Sequence, residues 1–174
     1  MDLPSSETDR LLGPRPSVAI FRLAPQDYHR FHAGLPGVLG PSRKAGSTLY
    51  TVNPQAVNED LDVFTANRRE IRQLAIDPPA EGKKGPTAFV VAVGAMLVGS
   101  ILWEDDGGAG NGDAGEEGWR LAKGEPCGAF AYGGSTVILV TPTGSTEWDA
   151  DLARSSREGV EQLVRAGERI GRLV

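Results

Sequence analysis

The feature that most constrains this chain is the run Thr87-Ala88-Phe89-Val90-Val91-Ala92-Val93-Gly94-Ala95-Met96-Leu97-Val98-Gly99-Ser100-Ile101-Leu102-Trp103. It is rich in valine, as strands are, and carries Gly94 and Gly99 where a helix would be weakened and a strand could bend. Its apolar part, Ala88 to Trp103, is short for a bilayer crossing and is interrupted by Gly94, Gly99 and Ser100. A second run, Val137-Ile138-Leu139-Val140, has the same character. Together they call for a sheet core built from aliphatic side chains, in keeping with 40% apolar but only 6% aromatic residues in 174. That length supports one domain.

The remaining elements read as follows. Met1 to Pro16 is polar and proline-containing, a disordered leader with no signal-peptide pattern. Ser17 to Leu23 is a strand ended by Pro25, and Gly34 to Gly46 is a loop. Leu49 to Val52 is a short strand closed by Asn53-Pro54. Asp62 to Ile76 is an extended arm or a short helix. Residues 104–118 hold six glycines and six acids, a flexible loop that cannot bury itself. A weak repeat relates Leu121-Ala122-Lys123-Gly124-Glu125-Pro126-Cys127-Gly128 to Val164-Arg165-Ala166-Gly167-Glu168-Arg169-Ile170-Gly171. These Gly-Glu-x-x-Gly segments are similar to turns of biotinyl- and lipoyl-type β-sandwiches, so the tail should end in a turn and strand after a short helix over Asp149 to Val164. The expected fold is mainly β, an antiparallel β-sandwich with a few peripheral helices (α+β).

Net charge is −5 and no basic stripe exists, which argues against nucleic acid as a partner. The single cysteine, Cys127, permits no internal disulfide and reads as a small buried hydrophobe.

Candidate chemistry lies in two places. Phe130-Ala131-Tyr132-Gly133-Gly134-Ser135-Thr136 sets a serine at the mouth of an apolar strand, behind glycines that permit unusual backbone angles. A serine hydroxyl beside such a bond can attack the preceding carbonyl if a base takes its proton. The only two histidines, His29 and His32, lie in Asp27-Tyr28-His29-Arg30-Phe31-His32. Their spacing places them on one face of a helix but on opposite faces of a strand. The residues alone leave open whether they move protons or only hydrogen-bond within a loop. They lack companion ligands for a metal, and none is expected. Phe21, Tyr28, Phe31 and Tyr132 read as core or rim aromatics, with an acyl-chain groove as the other use. Arg68-Arg69 reads as a solvated pair, with lipid phosphate as the alternative partner.

Taken in order, Val18 to Pro25, Asp27 to His32, Tyr50 to Pro54, Leu61 to Arg69, Val91 to Ile101 and Gly133-Gly134-Ser135-Thr136 resemble phosphatidylserine decarboxylase, over roughly residues 17 to 140. The Gly-Gly-Ser-Thr form looks most like the extramitochondrial fungal type. The resemblance implies a proenzyme of one catalytic domain, residues 17–174, that cuts itself between Gly134 and Ser135. A β chain of 1–134 and an α chain of 135–174 would result, with Ser135 becoming a covalent pyruvoyl group. That group would form a Schiff base with phosphatidylserine and release phosphatidylethanolamine, in phospholipid biosynthesis peripheral to membranes of the Golgi or endosomes. By the same resemblance His32 is the base that activates Ser135, and His29 serves decarboxylation or reprotonation.

Two departures stand out. The family's aspartate well upstream of the histidines, which orients the base, has no counterpart among Asp2 and Asp9, so the chain reads as N-terminally truncated. Gly34 stands where the family has proline after the histidines. A non-catalytic, unprocessed relative that binds lipid and a carrier-type β-sandwich are the rival readings. The carrier reading lacks a lysine in the flanking pattern that modification would need.

Overall fold

A computed structural model of the chain describes residues 5–59, 61–78, 85–96, 100–105, 118–131 and 134–174. The acidic segment 106–117 and Gly99, Tyr132 and Gly133 lie outside the described residues.

The fold is an antiparallel sandwich. Its larger layer contains β1 (Ser17–Leu23), β10 (Ser135–Thr141), β6 (Thr87–Val93), β5 (Arg69–Ile76), β3 (Gly37–Leu39) and β8 (Trp119–Leu121) in that order, with β4 (Arg43–Ala45) also on β5. The smaller layer is β2 (Arg30–His32), β9 (Pro126–Phe130) and β7 (Ile101–Trp103). A two-stranded ribbon, β11 (Thr146–Trp148) with β12 (Gly171–Leu173), holds the tail. Leu39, Leu74, Ile76, Ala88, Ala92 and Leu121 of the larger sheet meet Phe31, Ile101, Trp103, Cys127 and Phe130 of the smaller one in a single core. Phe31 packs edge-on to Trp103 at 5.1 Å between ring centroids. Gly128 is glycine because a Cβ there would lie 2.5 Å from the Leu102 carbonyl oxygen and 2.6 Å from the Phe31 ring.

Charged groups also bridge the layers. Arg72, on β5, forms a two-pronged ion pair with Asp105 at 2.6 and 2.5 Å, donates to the Gly40 carbonyl and lies over the Trp103 ring. Glu70, two residues earlier on the same face, accepts from Trp103 Nε1 at 2.8 Å and from Ser42 Oγ.

Several local expectations are corrected. The leader is not disordered over its described part: α1 (Ser5–Leu12) lies against β6, and Leu12 is buried. Thr143 clamps its end, donating N–H and Oγ to the Leu12 carbonyl and accepting from Arg15 N. The segment from Gly34 to Gly46 contributes β3 and β4, because β5 offers them a free edge. Leu49 to Val52 forms no strand; the buried Asn67 amide takes the place of a sheet neighbour by bonding both Tyr50 N and Tyr50 O. Asn53 instead caps α2 (Pro54–Val57), accepting from Gln55 N. Asp62 to Ile76 is neither arm nor helix throughout but α3 (Val63–Ala66) followed by β5. The long valine-rich run divides into β6 and β7, which belong to different layers. The tail helix is α4 (Ala150–Arg157), shorter than the expected interval.

The weak repeat is a structural one. Glu125 N donates to Ala122 O while the Glu125 carboxylate accepts from Ala122 N; Glu168 and Arg165 make the same pair of bonds. Gly124 and Gly167 occupy the third position at φ +84° and +87°, as a type II turn requires.

Candidate active site

Ser135 is the first residue of β10, a strand paired on both sides, and its side chain has no exposure. Side chains alternate along a strand, so Ser135 shares a face with Val137 and Leu139. Those two pack on the core between the layers, which sets the Ser135 hydroxyl inside the sandwich. Gly134 before it has φ +84°, a conformation other residues adopt only with strain.

On β2 the same alternation decides between the histidines. Phe31 points into the core, so Arg30 and His32 point out, while His29, just before the strand, points in. The His29 carbonyl accepts from Phe130 N, extending the β2–β9 pairing by one bond. Its Nδ1 lies 3.3 Å from Ser135 Oγ, and its Nε2 lies 3.3 Å from the Pro25 carbonyl oxygen. A carbonyl can only accept, so the proton sits on Nε2 and the Nδ1 lone pair faces the serine. This pair of side chains spans the two layers: His29 arrives with the smaller sheet and Ser135 with the larger.

His32 is exposed and turned away. Its Nδ1 donates to the Gly124 carbonyl at 2.9 Å, leaving Nε2 to accept from Tyr28 Oη at 2.9 Å, and the two rings stack. The expected pairing of His32 with Ser135 is therefore not what the structure holds; His29 occupies that position. The two histidines serve different partners and do not converge on a common centre.

Other expected residues divide. Phe31 is core, Tyr28 is exposed and Phe21 half-buried. Of the basic pair, Arg68 is exposed, but Arg69 is buried and donates to the carbonyls of Thr65 and Asn67. Cys127 is buried, as its bland reading has it, and burial pushes its thiol up to about 12. Thr136 Oγ1 is buried with no hydrogen-bond partner among the described residues.

Sequence reasoning passed over the turn Ala24-Pro25-Gln26-Asp27, whose Pro25 carbonyl meets His29. Its signal was legible: an acid three residues beyond a turn's start, the pattern that Glu125 and Glu168 display.

A buried serine behind a left-handed glycine, with a histidine ring nitrogen 3.3 Å from its hydroxyl, defines a serine–histidine site. The family is then plain. The phosphatidylserine decarboxylase family model matches residues 6–172, and the chain belongs to that family. It is 42% identical over 170 residues to phosphatidylserine decarboxylase proenzyme 3 of Schizosaccharomyces pombe, covering 98% of this chain and 16% of that protein. It is 43% identical over 155 residues to proenzyme 2 of Saccharomyces cerevisiae, covering 89% of this chain and 12% of that protein. With proenzyme 2 of Oryza sativa the identity is 44% over 156 residues, 89% of this chain and 22% of the relative. The chain thus spans less than a quarter of the length of these curated relatives. No solved structure matches it. No helix among the described residues is long and apolar enough to cross a membrane.

Proposed function

We propose that residues 17–174 form the catalytic domain of a phosphatidylserine decarboxylase that matures by cutting itself between Gly134 and Ser135. The single observation that carries this is the 3.3 Å approach of His29 Nδ1 to the buried Ser135 Oγ. His29 takes the hydroxyl proton as Oγ bonds to the Gly134 carbonyl carbon. The Gly134–Ser135 C–N bond then breaks, the nitrogen regains a proton from the imidazolium, and an ester joins the two halves. Elimination then removes the Cα proton of residue 135 to a base and breaks its Cβ–O bond, which frees Gly134 as a carboxylate and leaves a dehydroalanine at residue 135. Water converts this to a pyruvoyl group with loss of ammonia.

The residues fit that group: the serine it derives from lies on a fixed strand, inside the sandwich and beside a base. When formed, it supplies a ketone to the substrate amine and a sink for the electron pair that carbon dioxide leaves behind. His29, next to the same position, is suited to return a proton to the substrate carbon. The base role that the resemblance gives to His32 passes in this reading to His29, while His32 fixes the Gly124 turn to β2. The substrate is phosphatidylserine and the product phosphatidylethanolamine. A phospholipid is met at a membrane surface, so the domain works peripherally, on Golgi or endosomal membranes if it follows the fungal type.

Denatured intact mass tests the reading. The unaltered chain should give two fragments split after Gly134, the smaller with a blocked terminus, and should convert phosphatidylserine in vesicles. Ser135→Ala and His29→Ala should give one chain, and His32→Ala should still give two. Cleavage that survives His29→Ala and stops in His32→Ala would return the base role to His32. A single unaltered chain carrying an ordinary serine would support the unprocessed relative instead.

A further inference from the structure

We infer that the main-chain carbonyl of Leu23 is the binding group for the substrate amine: it holds the Ser135 N–H in the precursor, loses that donor on maturation, and takes the amine N–H in its place. The inference rests on the reading of residue 135 as a pyruvoyl precursor and is independent of which histidine serves Ser135.

Strand pairing carries it. β1 and β10 run antiparallel in unbroken register from Ser17–Thr141 to Leu23–Ser135. In such a ladder, opposed residues alternate between pairs that exchange both main-chain bonds and pairs that exchange none. One step beyond Ser17–Thr141, Pro16 stands opposite Pro142, and proline has no N–H to exchange. The exchanging pairs are therefore Ser17–Thr141, Ala19–Leu139, Phe21–Val137 and Leu23–Ser135. The other neighbour of β10 gives the same alternation. Gly94 N donates to Arg68 O on the β5 side, so Val93 turns its main-chain groups to Thr136, which leaves those of Ser135 facing β1. Ala24 N, next after Leu23, turns away to Asp27 Oδ2. Ser135 N–H thus donates to the Leu23 carbonyl, and Leu23 N–H donates to the Ser135 carbonyl.

The Ser135 nitrogen is the one that maturation removes. As residue 135 becomes a ketone its nitrogen leaves as ammonia, while the Leu23 carbonyl keeps its place on β1. Nothing made by the cut can donate to it, because the ketone oxygen and the new Gly134 carboxylate only accept. An ammonium group condensing with the ketone gives up two hydrogens, with the ketone oxygen, as water. It keeps its third on a charged nitrogen bonded to Cα of residue 135, the atom that carried Ser135 N. The Leu23 carbonyl then regains a donor, and a charged donor makes the stronger bond. Leu23 N–H, on the residue 135 carbonyl, fixes the other end of the residue, so the new nitrogen returns to the place of the old one. A primary amine fits this position. A secondary amine does not, since its condensed nitrogen has no hydrogen left.

Carbonyl-carbon NMR of the uniformly labelled chain tests this, with the Leu23 signal read through Ala24 N–H. In Ser135→Ala, which stays whole, a coupling across the hydrogen bond should link the nitrogen of residue 135 to the Leu23 carbonyl carbon. In the matured chain that carbon should move to lower frequency. Loading with methylamine, fixed by cyanoborohydride reduction to a bond that still carries N–H, should move it back. Replacing Ala24 by lactic acid makes the Leu23 carbonyl an ester, a poorer acceptor. Methylamine loading should then fall about tenfold, the scale of a hydrogen bond to a charged group. Asp27→Ala loses the same Ala24 N–H bond but keeps the amide, and should load as the original chain does. An absent coupling in Ser135→Ala, or a Leu23 carbon that amine loading does not move, would overturn the inference. So would ester and amide chains that load alike. A chain that never splits and keeps an ordinary serine would bring down the reading of residue 135, and this inference with it.

Discussion

Removing the Asp105 carboxylate should cost this fold far more than removing any of its exposed carboxylates. The Arg72 and Asp105 side chains are only 3% and 2% exposed and make two short bonds to each other. In Asp105→Ala the guanidinium stays buried with one carbonyl, Gly40 O, and the face of Trp103 for company. Stranding a buried charge in this way costs about 3–5 kcal/mol. The comparison is Glu147→Ala, which breaks the Arg172–Glu147 pair, whose side chains are 68% and 57% exposed. That pair is worth about 0–1 kcal/mol. For a urea slope of about 2 kcal/mol per molar, Asp105→Ala should lower the unfolding midpoint by roughly 1.5–2.5 M and Glu147→Ala by less than about 0.5 M. Tryptophan fluorescence reads both, since Trp103 sits at the pair. Replacing both partners, as Arg72→Met with Asp105→Leu, should recover most of the loss. Equal midpoints for the two single variants would refute the reasoning, because the buried pair would then behave as solvated. A double replacement as unstable as Asp105→Ala would mean that packing, not charge, was lost. The effect reaches the site as well: Arg72 ties β5 to the segment after β7, and the His29–Ser135 contact depends on that alignment of layers.

Two further outcomes follow from single buried groups. Thr136→Val removes a buried hydroxyl that has no partner among the described residues while keeping its shape, so thermal or urea unfolding should show a gain of about 1 kcal/mol; a loss would reveal a partner for that hydroxyl. Cys127, its thiol pushed up to about 12 by burial, should resist thiol reagents in the native protein at pH 8 and react fully once unfolded. Because the folded value is raised, Cys127 contributes no loss of stability below the ordinary thiol value of about 8.5. It contributes an increasing one as pH climbs from there to about 12. Cys127→Ala should remove that part of the alkaline decline.

The elements legible from sequence are those whose cause is local. β-branched runs announce β6 and β10, and Ser135 was placed at a strand mouth because Gly134 precedes it and Val137 follows. The paired turns at Gly124 and Gly167 were visible as Gly-Glu because the glycine supplies the positive φ and the glutamate closes the turn within four residues. Elements defined by distant partners were not. The strands β3 and β4 lie in a glycine- and proline-containing stretch and exist because β5 offers an edge. The docking of α1 depends on Thr143, more than a hundred residues away.

The same division runs through the site. By itself the sequence determined which residues could do the chemistry: one serine behind glycines and two histidines three apart. It could not say which histidine meets the serine, since that spacing means one face in a helix and opposite faces in a strand. Pairing of β2 with β9 makes the segment a strand, and burial of Phe31 between the layers fixes which side is inward. Only the tertiary structure therefore turned His29 toward Ser135 and His32 toward Gly124, because strand pairing and register are set by side chains far apart in the chain.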